Sequence, residues 1–169
     1  MLIHIIVNSQ PLSYNFNMTL FEIIGQITIF VILLLFSTIM SRYDIKRLSV
    51  PDWPYWAGCI FLIIAQLVFN HNNVYLFLIS ALIFGAIYYL IRLITKGHLG
   101  MGDVYFGFFQ GLCLRPAFIW ICLIVETLSA FIVYIWYSRQ SKFKNPKIPF
   151  IPFMSLGLAT AFLVDWILR

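Results

Sequence analysis

Residues 20–40 read LFEIIGQITIFVILLLFSTIM and carry one charged side chain, Glu22. A helix needs about 20 mostly apolar residues to cross the hydrocarbon core of a bilayer, so this stretch predicts a membrane span. No apolar stretch of the chain alternates with a period of two residues, which favours helices over the strands of a membrane barrel. Further spans are predicted at Trp53–Phe69, Val74–Thr95, Ala117–Tyr137 and Phe150–Leu168.

The composition also indicates a membrane protein. Of 169 residues, 62% are hydrophobic and 10% are charged, whereas soluble domains carry about 25% charged residues. The polar groups are too few to cover a water-facing surface, so we expect membrane lipid to surround the chain. The net charge of +5 comes from basic residues in short loops, which is typical of a topology signal and does not indicate nucleic-acid binding.

A sixth apolar stretch, Met101–Leu114, is short for a span. As a helix it would cover roughly 21 Å of a hydrocarbon core about 30 Å thick. We expect it to cross only if neighbouring helices shield it and its ends reach water in a cavity.

Loop charges predict the orientation. With six spans and both termini outside, the outer side carries Arg115 and Arg169 and the inner side carries nine basic residues, which is the positive-inside pattern. The predicted fold is an all-α, polytopic bundle of about six transmembrane helices, with residues 1–19 as a short N-terminal segment and residues 20–169 as the membrane domain. The inner basic residues are Arg42, Lys46, Arg47, Arg92, Lys96, Arg139, Lys142, Lys144 and Lys147.

Two of the six acidic residues, Asp44 and Asp103, fall at the inner ends of different spans in this topology. Two carboxyl groups that share one proton can hydrolyse a peptide bond, one as general base on water and the other as proton donor to the carbonyl oxygen. Simpler interpretations remain open. Asp44 could be a solvated carboxylate paired with Arg42 or Arg47, and Asp103 could be a helix N-cap after a glycine-rich turn.

The remaining acidic residues have less specific surroundings. Asp52 directly precedes a predicted helix with proline in its first turn and is expected to be an N-cap. Glu22 and Asp165 lie near the outer ends of spans, where a structural role is expected. Glu126 lies at the middle of a span, where a charge is costly, so it is either a neutral or hydrogen-bonded packing residue or part of a proton relay.

Other functions were weighed against hydrolysis. A small transporter or proton-conducting protein could use Glu126 and the aspartates as a relay, although no internal repeat typical of transporters is evident. A structural membrane subunit explains the spans but not the acidic residues. No cofactor or metal is expected, because the cysteines lie in apolar stretches and form no C-x-x-C pair.

Two motifs surround the aspartates. Residues 100–103 read Gly-Met-Gly-Asp, which resembles the GxGD signature of intramembrane aspartyl proteases. Asp44 is followed by IKRLSV and then by Pro51 and Asp52. This spacing is similar to that of type IV prepilin peptidases, in which the first aspartate is followed by six residues, proline, and Asp or Asn.

A third motif, KIPFIPFMSLG at residues 147–157, resembles the K-x-P-F-x-P-F-L-x-x-G stretch at the start of that family's last span. The resemblance covers about residues 20–169 and implies that Asp44 and Asp103 are the catalytic residues. It implies supporting roles for Gly100, Gly102, Pro51, Asp52, Lys147, Pro149 and Phe150.

The resemblance also implies a substrate and a location. Family members remove a short basic leader, which ends in glycine before an apolar helix, from prepilins or pseudopilins at the cytoplasmic face of the bacterial inner membrane. Two departures matter. The extra N-terminal region and tetracysteine motif of long, N-methylating members are lacking here, so we expect peptidase activity without methyltransferase activity. Tyr105 stands where the family commonly has lysine, and Lys96 or Lys147 would have to compensate.

Overall fold

The computed structural model describes residues 20–139 and 149–168, and all regular structure in these two ranges is helical. Two short 3₁₀ turns, His71–Asn73 and Pro116–Phe118, precede the third and fifth helices. The predicted all-α class is thereby confirmed. The predicted N-terminal segment and Lys147 lie outside the described residues. The six helices are α1 (Leu20–Arg47), α2 (Trp53–Phe69), α3 (Val74–Ile94), α4 (Met101–Cys113), α5 (Ile119–Ser138) and α6 (Ile151–Ile167).

Most predicted helix boundaries agree with the structure to within about two residues, but the predicted end of the first helix was wrong. The sequence predicted an end at Met40, whereas α1 continues to Arg47 and carries Asp44 within it. The added turns, SRYDIKR, contain neither glycine nor proline, so nothing local stops the helix. It ends where Leu48 adopts the left-handed conformation, with φ of 52°.

Three of the helical segments are long and apolar enough to cross a membrane, namely Leu20–Arg47, His71–Ile94 and Pro116–Trp136. Helices α2 and α6 are apolar but shorter, with 17 residues each. Large apolar side chains cover the outside of the bundle, as with Trp120 at 68% exposure and Leu82 at 64%. Such a surface suits lipid and not water.

Helix α4 is short but lies at the centre of the bundle, packed against α2, α3 and α6. Eight of its 13 residues are buried. A Cβ on Gly111 would overlap the backbone of Ala81, and one on Gly107 would overlap the ring of Tyr88. These two glycines therefore allow α4 to pack closely against α3.

Contacts between helix ends define which ends lie together. Gly25, early in α1, contacts the ring of Phe69 at the end of α2. The hydroxyl groups of Ser41, late in α1, and Ser155, early in α6, are 3.0 Å apart. Helix α1 is thus antiparallel to α2 and to α6, and the end of α1 lies beside the beginning of α6.

Candidate functional site

A cavity of about 270 Å³ lies where the end of α1 meets the beginnings of α2, α4 and α6. Asp44 and Asp103 both line it, and their carboxylates interact electrostatically. The structure therefore brings together the two carboxyl groups that the sequence singled out. The other lining residues are Leu48, Ser49, Val50, Asp52, Tyr55, Gly100, Met101, Gly102, Tyr105 and Ile151.

Asp44 is fixed by the last helix of the bundle. Its side chain is buried, with 8% exposure, and the main-chain N–H of Ile151 donates a hydrogen bond to Oδ2 at 3.0 Å. The interpretation of Asp44 as a solvated loop carboxylate was wrong, because the residue lies in a helix and faces the bundle interior. The first turn of α6 needs partners for its free N–H groups, and Asp44 supplies one.

Asp103 is held by the turn that precedes it. It is the third residue of α4, and its Oδ2 accepts a hydrogen bond from the main-chain N–H of Gly100 at 3.0 Å. This is the backward-reaching half of a capping box. Asp103 therefore combines a structural hydrogen bond at the start of α4 with a half-buried position on the cavity wall.

The glycine-rich turn is shaped by two residues of the α3–α4 connection. Gly97 has φ of +84°, a conformation that favours glycine and reverses the chain after α3. Arg92, in the last turn of α3, donates a hydrogen bond to the carbonyl oxygen of Leu99 and interacts electrostatically with Asp103.

Arg92 is a site residue that sequence reasoning missed. It is the cation whose charge acts on Asp103, whereas Lys96 is exposed in the turn and Lys147 lies outside the described residues. The sequence did contain one indication of this role, since Arg92 lies about one helical turn before the glycine-rich segment.

The predicted cap at Asp52 is corrected by the structure. Asp52 occupies the N-cap position of α2, and proline follows in the first turn, but the Asp52 side chain makes no capping hydrogen bond. Its backbone is already helical, with φ of −72° and ψ of −26°, whereas a capping side chain needs an extended backbone at that residue. The Asp52 carboxylate lines the cavity instead.

The motif at the start of α6 approaches the site through its backbone. Pro149 and Phe150 directly precede α6, and the Phe150 ring packs edge-on against Tyr88, with centroids 6.5 Å apart. This packing fixes the first turn of α6, whose Ile151 N–H reaches Asp44. Pro51 is exposed in the α1–α2 connection.

Tyr55 is a second residue that sequence reasoning missed. Its side chain is 2% exposed and lines the cavity with both aspartates. Residues 53–57 read WPYWA, and nothing in that pattern distinguishes Tyr55 from a packing aromatic residue.

Glu126 lies in a separate, buried polar cluster. Tyr88 donates its hydroxyl to Oε1, and Gln110 donates from Nε2 to Oε2 at 3.0 Å. Gln110 Nε2 also lies 3.0 Å from the carbonyl oxygen of Met154. The cluster joins α3, α4, α5 and α6, and Glu126 is buried and hydrogen-bonded within it. Within residues 20–139 and 149–168, no group of His, Cys, Asp and Glu side chains could hold a metal ion.

Comparison with known proteins identifies the family to which this chain belongs. A scan against protein-family models matches the type IV leader peptidase family over residues 30–138, a range that includes Asp44 and Asp103. The chain therefore belongs to the type IV leader peptidase family. Searches of curated proteins and of solved structures found no significant match. The family and the apolar helices together indicate a multi-pass membrane peptidase.

Proposed function

We propose that this protein is an aspartyl endopeptidase that removes the short basic leader from type IV prepilins or prepilin-like proteins. The observation that carries the proposal is that Asp44 and Asp103 line one cavity of about 270 Å³. Membership of the type IV leader peptidase family supports a prepilin-type substrate. We infer a multi-pass arrangement of six spans in the bacterial cytoplasmic membrane, with the cavity at the cytoplasmic face, from the positive-inside pattern.

The chemistry follows from two neighbouring carboxyl groups that hold one proton between them. The ionised carboxylate removes a proton from a water molecule, whose oxygen attacks the scissile carbonyl carbon. The protonated carboxyl donates its proton to the carbonyl oxygen. The tetrahedral intermediate then transfers a proton to nitrogen and its C–N bond breaks, leaving a carboxyl group on the leader and a free amine on the mature chain.

A groove beside the cavity is consistent with a substrate in which a polar leader precedes an apolar helix. This groove, of about 470 Å³, lies between α2, α3 and α4 and shares Tyr55 and Tyr105 with the cavity. Its wall includes Trp56 and Leu82, which are 60% and 64% exposed on the lipid-facing surface. A scissile bond in the cavity would thus have apolar surface beside it.

Co-expression with a prepilin-like substrate tests the function. Asp44→Asn and Asp103→Asn are each expected to abolish leader cleavage, seen as a shift of the substrate band, while both variants reach the membrane in normal amounts. Glu22→Gln is the control, because Glu22 is an exposed carboxylate near the start of α1, at the opposite end of that helix from Asp44. Normal cleavage by either of the first two variants would reject the assignment.

The absence of methyltransferase activity stays a prediction from the sequence. Mass spectrometry of the mature substrate in the presence of S-adenosylmethionine measures it directly. We expect an unmodified N-terminal amine, and a product heavier by one methyl group would contradict the prediction.

A further inference from the structure

The hydroxyl group of Tyr55 is a polar group buried inside the bundle. The side chain is 2% exposed, and among the described residues its oxygen accepts or donates no hydrogen bond. Leaving a buried hydroxyl unpaired is destabilising, because it loses its hydrogen bonds to water on folding. Phenylalanine would fill the same space without that cost, so the hydroxyl needs an explanation other than packing.

The position of the Tyr55 hydroxyl suggests a role in catalysis. Tyr55 lines the cavity with Asp44 and Asp103 and interacts electrostatically with both carboxylates. Its ring packs against the ring of Tyr105, with centroids 5.8 Å apart. The side chain is therefore packed beside the carboxyl pair, and its O–H is a buried neutral donor next to the cavity.

We propose that Tyr55 is a catalytic residue that donates a hydrogen bond from its hydroxyl to the carbonyl oxygen of the scissile peptide bond. This inference rests on the proposed function. As water attacks the carbonyl carbon, negative charge builds on that oxygen before the carboxyl proton is fully transferred. A donor already fixed in a site shielded from water stabilises this charge without reorganisation. Ser49 also lines the cavity, but it is exposed in the α1–α2 connection.

The inference also explains the second glycine of the Gly-Met-Gly-Asp motif. A Cβ on Gly102 would lie 2.8 Å from the Tyr55 hydroxyl oxygen and 3.6 Å from the ring carbon that bears it. Gly97 has a positive φ and Gly102 does not, so the backbone at Gly102 would accept alanine. Glycine is needed at this position because the hydroxyl occupies the space that a methyl group would take.

Tyr55→Phe in purified protein tests the proposal. We expect kcat for leader cleavage to fall by about 10²–10³-fold, the usual loss for one oxyanion donor, with little change in KM. Thermal stability should stay the same or rise, because the variant removes an unpaired hydroxyl. The matched control is Tyr89→Phe, at an exposed position of α3, which should cleave as the unmodified protein does.

A double-mutant cycle with Gly102→Ala adds a test that a merely structural role would not pass. Gly102→Ala alone should lower kcat by about tenfold or more by displacing the hydroxyl. In the Tyr55→Phe background it should cost almost nothing, because the remaining ring carbon leaves room for the methyl group. Equal losses in the two backgrounds, or a normal kcat for Tyr55→Phe, would overturn the role of Tyr55.

The two proposals fail separately. If Asp44→Asn and Asp103→Asn are inactive while Tyr55→Phe has a normal kcat, only the role of Tyr55 is rejected. If either aspartate variant cleaves normally, the proposed function is rejected and the role of Tyr55 falls with it.

Discussion

The main-chain N–H of Ile151 donates a hydrogen bond to Oδ2 of Asp44 at 3.0 Å. The first turn of the last helix thereby orients a carboxylate that belongs to the end of the first helix. Sequence motifs more than a hundred residues apart meet at this bond, since Ile151 lies within the KIPFIPF stretch. Through this hydrogen bond, the KIPFIPF stretch orients the Asp44 side chain toward the cavity.

Asp44→Glu tests how much the aim of this carboxylate matters. The added methylene keeps the charge but moves the carboxylate away from the Ile151 N–H. We expect kcat to fall by about 10²-fold, because misplacement of a catalytic group by about 1 Å has effects of this size. Steady-state cleavage measures it, with Glu22→Asp as the control, a one-methylene change at an exposed position near the start of α1. A rate for Asp44→Glu equal to that of the control would contradict the orienting role of Ile151.

Gly111→Ala tests the packing that seats α4. A Cβ there would collide with backbone atoms of Ala81, and backbone cannot rotate away. Overpacking of this kind costs about 1–3 kcal/mol, so the thermal midpoint in detergent should fall by several degrees. Gly85→Ala is the matched helical control, because its Cβ would meet only the far end of the Phe108 ring, which can move. A larger loss for Gly85→Ala than for Gly111→Ala would contradict this account.

Substitutions of Glu126 separate a packing role from a proton relay. Glu126→Gln keeps an acceptor for the Tyr88 hydroxyl, so it should fold and cleave substrate. Glu126→Leu leaves the Tyr88 hydroxyl buried without its acceptor, at about 1–3 kcal/mol, while Gln110 keeps the carbonyl oxygen of Met154. Thermal unfolding and leader cleavage measure the two effects. A stable Glu126→Gln variant that cannot cleave would favour a proton-transfer role.

The far end of the bundle should affect stability and not catalysis. Arg115, after α4, donates from Nε to Oδ1 of Asp165 at 2.6 Å, and Asp165 is 1% exposed. Because Arg115 is 34% exposed, we expect Asp165→Asn to cost about 1–3 kcal/mol, less than a fully buried pair. Thermal unfolding checks the loss, and kcat well below the midpoint should be normal. A stable variant with reduced kcat would show that this end of the bundle contributes to catalysis.

Much of the fold was predictable because the lipid environment imposes length and apolarity on each helix. The range predicted for α2, Trp53–Phe69, is the range observed. The end of α1 was not predictable, since polar residues in SRYDIKR resemble a loop while the backbone continues as a helix that buries Asp44. The six-span topology and both outer termini stay predictions.

The aspartate pair was predictable from motif spacing, but its surroundings were not. Tyr55 carries no local pattern that marks it, and Arg92 is marked only by its place before the glycine-rich segment. The packing of α2 and α3 around α4 brings both residues to Asp103. The cap predicted at Asp52 failed for a related reason. Whether a side chain faces its own helix or a cavity depends on tertiary contacts that sequence spacing does not define.

The most direct test of the central claim compares Asp44→Asn, Asp103→Asn and the double variant in one leader-cleavage assay with purified protein. Groups that act as a unit lose nearly all their contribution when either is removed. We therefore predict that all three variants fall to the same background rate. Measurable cleavage by one single variant, with a further large loss in the double variant, would show that the two carboxyl groups act independently and would contradict the account.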